Sequence, residues 1–208
     1  SIDEEFHRFC GLFWLDYILS FTSFDQIKFV VFEKLNEAKS LNVGSPEDFP
    51  FYGVIFDLPA VFLEVLFKIE DPQNYFYFKH FLNFLLFFVS SIFFYKLMLN
   101  RFLNNKTALI GALFFILSPR IYGESFFNNK DIVFLSLTTF SLYYCFKSID
   151  KISYKNLLIF SIFCSLATAQ RIIGIFLPIT FIVFYFFSVI SDNKKLKDLY
   201  LIIYFVVF

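Results

Sequence analysis

The chain has 208 residues, of which 58% are hydrophobic, 24% are aromatic and only 17% are charged. Soluble domains carry about 45–50% apolar and about 25% charged residues, and a single core of this size cannot hide so many apolar side chains. The composition therefore excludes a soluble globular domain, a disordered chain, a collagen and a disulfide scaffold. It indicates an integral membrane protein.

The net charge is zero, but the charges are unevenly distributed along the chain. Residues 1–75 hold thirteen acidic and five basic side chains, whereas residues 76–208 hold five acidic and thirteen basic ones. We therefore predict an acidic outer loop over 1–75 and a transmembrane region over 76–208. No basic stripe is set among exposed aromatics, so nucleic acid is not a predicted partner.

Long apolar runs in the second region predict an all-α fold, a polytopic transmembrane helix bundle. A bilayer core is crossed by about 20 apolar residues in a helix. Some of the apolar runs are shorter than this, and their periodicity alone is also consistent with helices that are buried in a protein core. About five complete spans and one truncated span are predicted, at 76–97, 103–118, 131–147, 156–170, 172–190 and from 199 onward.

The basic residues between these runs support the membrane interpretation and give it an orientation. Alternate connections hold nine and three basic residues, and basic residues are concentrated in cytoplasmic loops. Residues 1–75, the loop at 119–130 and the turn near Arg171 are therefore predicted on the outer side. The nine are Lys96, Arg101, Lys106, Lys147, Lys151, Lys155, Lys194, Lys195 and Lys197, and the three are Arg120, Lys130 and Arg171.

The outer loop is predicted to contain amphipathic interface helices. Asp57, Glu64 and Lys68 are seven and four residues apart, so at about 100° per residue they fall within about 40° of one another on a helix. Such a helix lies in the membrane interface rather than spanning it. The aromatic-rich stretch before it predicts a second interface helix, with a polar loop between them. These segments are 6–21, the loop 42–48, and 54–68.

The first polar group that could carry chemistry opens the chain. Asp3, Glu4 and Glu5 are followed by His7 and Arg8, ahead of the amphipathic stretch. The alternative is a solvated helix start, since the helix dipole stabilises acidic side chains in the first turn. Some of these residues could also contribute metal ligands, but a single histidine among acids is weak support for a metal site.

Two further polar groups lie between apolar runs. The stretch 118–131 is longer than the about two to six residues that a simple connection needs, and its alternatives are headgroup contacts and helix capping by Asn129 or Asp131. The pair at 170–171 could be a snorkelling interface pair or a phosphate clamp. The candidate residues of the two groups are Arg120, Glu124, Lys130, Asp131 and Arg171.

These groups resemble the C-type glycosyltransferase superfamily, in particular the protein O-mannosyltransferase and aminoarabinose transferase family (glycosyltransferase family 39). Its members have an outer loop that opens with an Asp-Glu pair and carries interface helices, which resembles Asp3 and Glu4 followed by 54–68. A later outer loop has an Arg and then an Asp that opens the next span, and Arg120 and Asp131 are similar. The stretch 118–132 is the more specific of these motifs.

The resemblance implies that the chain is an N-terminal fragment of a typical member, with a first span before it and more spans after it. It also implies an inverting transfer of a sugar from a polyprenyl-phosphate donor to an acceptor hydroxyl outside the cytoplasm. A phosphate leaving group needs positive charge rather than a general acid, so one carboxylate base suffices.

On this basis we assign the base to Asp3, with Glu4 as its orienting neighbour, while Glu4 and Glu5 stay open as alternative bases. The remaining candidates are Arg120, Lys130 and Arg171 for phosphate binding, with Glu124 and Asp131 in supporting positions.

The predicted partners are the polyprenyl-phosphate-linked sugar, a lipid or protein acceptor and the bilayer, in a bacterial inner membrane with the site facing the periplasm. No cofactor is predicted, although the residue pattern leaves a divalent metal open. The alternatives are a membrane transporter, which would place polar groups near the membrane midplane, and a non-catalytic subunit of a membrane complex.

Overall fold

The computed structural model describes residues 2–40, 53–151 and 153–192. Within these ranges the chain is helical and has no β-strand, which confirms the predicted all-α fold. The predicted loop at 42–48 and the truncated span from 199 lie outside the described residues. The helices are α1 Ile2–Ser20, α2 Asp25–Ser40, α3 Asp57–Leu66, α4 Pro72–Phe102, α5 Asn105–Leu117, α6 Pro119–Phe127, α7 Asp131–Asp150, α8 Tyr154–Gln170 and α9 Phe176–Asp192, with a 3₁₀ turn at Ile172–Ile175.

The chain forms two compact units, and the boundary between them falls within α4, between Leu82 and Asn83. The predicted division lies seven residues earlier, between 75 and 76. The assignment of the first part to an outer loop and of the second to the membrane stays a prediction.

Three of the described helices are long and apolar enough to cross a membrane, namely Pro72–Phe102, Asp131–Asp150 and Ile172–Ile190. They coincide with three of the five predicted spans. In the other two positions α5 has 13 residues and α8 has 17. Helices α5 and α6 meet the same criteria only when taken together, as a pair bent by 59°.

Helix α6 corrects the expectation that residues 119–130 form a loop. Ser118 ends α5 with an extended backbone (ψ 116°), and Pro119 then occupies the first position of α6. A residue before proline avoids the helical conformation, and proline is well tolerated at a helix start because no N–H is needed there. The dipeptide therefore ends one helix and begins the next.

In the first unit, α1 packs closely on α3. Gly11 makes this approach possible, because a Cβ atom there would lie 2.9 Å from the carbonyl oxygen of Asp57. Apolar side chains of α1 fill the core with Val31 of α2 and Val61 of α3. The α1 members of this core are Phe9, Cys10, Leu12, Leu15 and Leu19.

The polar face of α3 does not face water, which corrects the simple picture of an interface helix. Asp57 is 1% exposed and Glu64 is 0% exposed. Both carboxylates are buried with basic side chains from other helices, and buried charges are stable only when paired in this way. The predicted grouping of these acids on one helix face is right, but the face turns inward.

Each buried carboxylate has two basic neighbours. Glu64 accepts hydrogen bonds from Nε (3.2 Å) and Nη2 of Arg8, and from Nζ of Lys34 at 2.5 Å. Asp57 pairs with Lys79 Nζ at 2.7 Å, and His7 Nδ1 lies 3.8 Å from its other oxygen. Helices α1, α2 and α4 are thereby tied to α3.

Large apolar side chains point outward from the same unit. Phe21, Phe29, Phe62, Leu66 and Phe67 are all exposed. Exposed aromatic and aliphatic side chains of this number favour contact with an apolar environment. This arrangement supports the predicted interface location of α1 and α3, which stays a prediction.

In the second unit, α7 packs against α8 and α9. Their shared core contains Phe160, Phe181 and Tyr185 together with two cysteines. The turn at Ile172–Ile175 sits against the end of α8, since a Cβ atom at Gly174 would lie 2.5 Å from the backbone nitrogen of Thr168. This packing fixes the position of the end of α8, just before the turn.

We expect Glu64→Gln to destabilise the first unit strongly. The substitution leaves the charges of Arg8 and Lys34 buried without a counterion, and breaking a buried pair costs about 3–5 kcal/mol. The measurement is the free energy of unfolding in detergent. Glu70→Gln is the matched control, because Glu70 is exposed and exposed substitutions change stability by only about 0.5 kcal/mol. Equal unfolding free energies for the two variants would contradict the burial argument.

Candidate functional site

The junction between α6 and α7 is organised by the side chain of Asn128. Its Oδ1 accepts hydrogen bonds from the backbone N–H groups of Asp131 (2.8 Å) and Lys130 (3.2 Å). Its Nδ2 donates to Glu124 at 2.8 Å and to Asp131 at 3.0 Å. The predicted helix start is thus present, and Asn128 provides hydrogen bonds that cap it.

The third predicted group meets this junction. Arg171 Nη2 lies 2.5 Å from Asp131 Oδ1, in an ion pair whose side chains are 42% and 56% exposed. The adjacent Gln170 donates through Nε2 to the carbonyl oxygen of Asn129 at 3.3 Å. Two polar groups that are 40 residues apart in the sequence therefore form one cluster.

A cavity of about 380 Å³ opens beside this cluster. Arg120, Glu124 and Asp131, all predicted as site residues, contribute to its lining. The arrangement combines charged groups with an apolar wall, which is the usual character of a pocket that binds a polar group on an apolar ligand. The full lining is Arg120, Ile121, Glu124, Asn128, Asp131, Ile132, Phe134, Leu135 and Thr138.

Lys130 and Arg171 do not contribute to the cavity lining. Lys130 takes part in the junction through its backbone N–H. Arg171 is connected to the cavity through Asp131, which pairs with it and lines the cavity. The charged groups that line the cavity are one guanidinium, on Arg120, and two carboxylates, on Glu124 and Asp131. The positive charge of Arg171 compensates for the extra negative charge.

The predicted acidic pair belongs to the first unit. Asp3 lies in the first turn of α1, and its side chain is outside the described part of the structure. Glu4 Oε1 is 2.7 Å from Nε2 of His80 on α4.

The sequence patterns missed two of these interactions. His80 lies inside a long apolar run, where a single histidine gives no periodic signal. Asn128 could have been found, because an Asn three residues before the first helical Asp is a recognised helix-start pattern. Among the described residues, no three His, Cys, Asp or Glu side chains are grouped as a metal site, and the expectation about cofactors stays a prediction.

The family model for dolichyl-phosphate-mannose-protein mannosyltransferase matches residues 62–208. The match contains the α6–α7 junction, Arg171 and His80, and it begins after Asp3 and Glu4. No curated protein and no solved structure gave a match.

Proposed function

Because the chain belongs to the dolichyl-phosphate-mannose-protein mannosyltransferase family, we propose that it is an inverting glycosyltransferase that uses a polyprenyl-phosphate sugar donor. The family membership confirms the resemblance predicted from the sequence and identifies a multi-pass membrane protein of a glycosyltransferase family. The match over 62–208 is the observation that carries the proposal. The donor, the acceptor and the roles of single residues are part of the proposal.

The proposed reaction has one proton to move and one leaving group to stabilise. The acceptor oxygen attacks the anomeric carbon while the bond from that carbon to the phosphate oxygen breaks, and the electron pair leaves with the lipid phosphate. A carboxylate base takes the acceptor proton. We assign this role to Asp3, with Glu4 as its orienting neighbour and Glu5 as the alternative base.

Arg120, Lys130 and Arg171 are the proposed phosphate-binding residues. The cavity supports Arg120, since this guanidinium lines it beside an apolar wall. The exposed pair of Arg171 with Asp131 supports Arg171, because an exposed ion pair is held by only about 0–1 kcal/mol. An arriving phosphate can therefore recruit Arg171 without a large cost and bind it through two hydrogen bonds. Asp131 and Glu124 support these cations when no ligand is bound.

The proposed location is the bacterial inner membrane, with the reaction on the periplasmic side and a lipid or protein as acceptor. The distribution of basic residues supports this orientation. The outward apolar side chains of α1 and α3 support a membrane-bound first unit.

We expect Asp3→Asn to abolish sugar transfer while the protein still inserts and folds. The amide keeps the size of the side chain but cannot accept the proton. The measurement is transfer from a synthetic polyprenyl-phosphate sugar to an acceptor in membranes that contain the full protein. Asp16→Asn on the same helix is the matched control and is expected to stay active. An active Asp3→Asn protein overturns the assignment of the base, and loss in Glu5→Gln alone would assign it to Glu5.

We expect Arg171→Ala to lose transfer with little effect on stability. Its ion pair is exposed, so the free energy of unfolding changes by at most about 1 kcal/mol, whereas the loss of a phosphate contact lowers kcat/KM by about 10²–10³-fold. Lys155→Ala is the matched control, because it removes one exposed positive charge at the other end of α8. Equal kcat/KM values for the two variants would contradict the phosphate role.

The orientation can be tested with single cysteines. Gly123 on α6 is exposed and has open space beside it, and Lys155 is exposed at the start of α8. The native cysteines, Cys10, Cys145 and Cys164, are buried. We expect a membrane-impermeant maleimide to label Gly123→Cys in intact cells and to label Lys155→Cys only after the membrane is opened. The reverse pattern would place the proposed site in the cytoplasm.

A further inference from the structure

The first turns of α1 are held along one face by side chains from other helices. Glu4 contacts His80, His7 lies near Asp57, and Arg8 binds Glu64. Positions i, i+3 and i+4 lie on the same side of a helix, so the three contacts form a continuous row. Glu4 therefore belongs to a turn of α1 that contacts other helices.

His80 is itself on a well-anchored part of α4. The preceding residue, Lys79, is 3% exposed and pairs with Asp57 at 2.7 Å. One turn earlier, the fully buried ring of Tyr75 has the Arg8 guanidinium 4.8 Å from its centroid. The turn of α4 that precedes the imidazole is thus fixed by these two contacts.

The contact between His80 and Glu4 differs from the buried pairs beside it. The two side chains are 23% and 20% exposed, whereas the partners of Asp57 and Glu64 are buried more deeply. A carboxylate with this exposure can be reached by a ligand. A buried carboxylate with two basic partners stabilises the packing of the helices instead.

From this geometry we infer that His80 is a positioning residue for the Asp3–Glu4 pair in sugar transfer. Its imidazole holds the Glu4 carboxylate through Nε2 and so fixes the turn of α1 that carries Asp3. The inference rests on the proposed function, because the acidic pair matters only if it takes part in the transfer. Glu4 then acts as the orienting neighbour and leaves proton transfer to Asp3.

The test compares three substitutions of His80 in membranes with the full protein and the synthetic donor. His80→Gln keeps an amide nitrogen near the position of Nε2, His80→Asn keeps an amide that is too short, and His80→Phe keeps only the ring shape. We expect Phe and Asn to lower kcat by about 10²-fold, the effect of displacing a reacting group by about 1 Å, with KM unchanged. We expect the His80→Gln variant to keep most of the wild-type kcat.

A double-mutant cycle shows whether the effect acts through Glu4. In a Glu4→Gln background, His80→Phe is expected to cause no further loss of kcat, because residues that act as a unit are non-additive. Tyr77→Phe is the control on the same helix, since Tyr77 is exposed and its hydroxyl accepts a hydrogen bond from the exposed Gln73. It is expected to leave kcat unchanged.

The outcomes separate this inference from the proposed function. If the wild-type protein transfers no sugar, the proposed function fails. If it transfers sugar and His80→Phe keeps a wild-type kcat, the positioning role is wrong. The role is also wrong if the losses of the two single variants multiply in the double variant, or if Gln is as inactive as Phe.

Discussion

The first unit depends on the neutralisation of two carboxylates inside it. Asp57 and Glu64 lie on the same face of α3, and basic side chains of α1, α2 and α4 surround them. Removing water from a charge costs several kcal/mol per ion, and only a partner with good geometry compensates for it. The four helices can therefore pack in few other ways, and the acidic start of α1 acquires a defined position as a result. The exposed aromatic side chains of the unit are compatible with this interior because the charges of Asp57 and Glu64 are not at the surface.

The sequence allowed the helices, the long apolar spans and the common face of Asp57 and Glu64 to be predicted, because each depends on local spacing. The direction of that face could not be predicted. The partners of Glu64 are 30 and 56 residues away in the chain, and no local pattern reports such a distance. Helix α2 was missed for a related reason, since its charged and apolar residues alternate without a long apolar run.

The proximity of the polar residues around the cavity was predicted more completely than the interior of the first unit was. Arg120, Glu124 and Asp131 were chosen as site residues and line one cavity, and Arg171 pairs with Asp131. The grouping could be predicted because polar residues between apolar spans have few structural reasons to be there. The role of Asn128 and the helical form of 119–127 depend on hydrogen bonds and on a proline at a helix start, which composition alone does not reveal.

The bend at Ser118 also has a consequence for the depth of the protein in the bilayer. The last carbonyl groups of a helix have no helical donors, and in hydrocarbon such groups would be very unfavourable. Because α5 ends at Leu117 and α6 leaves at an angle of 59°, those carbonyls need water, headgroups or protein donors nearby. If α5 and α6 lie in the bilayer, the Ser-Pro step is therefore expected at a depth where such donors are present, because the helical hydrogen bonds are interrupted there.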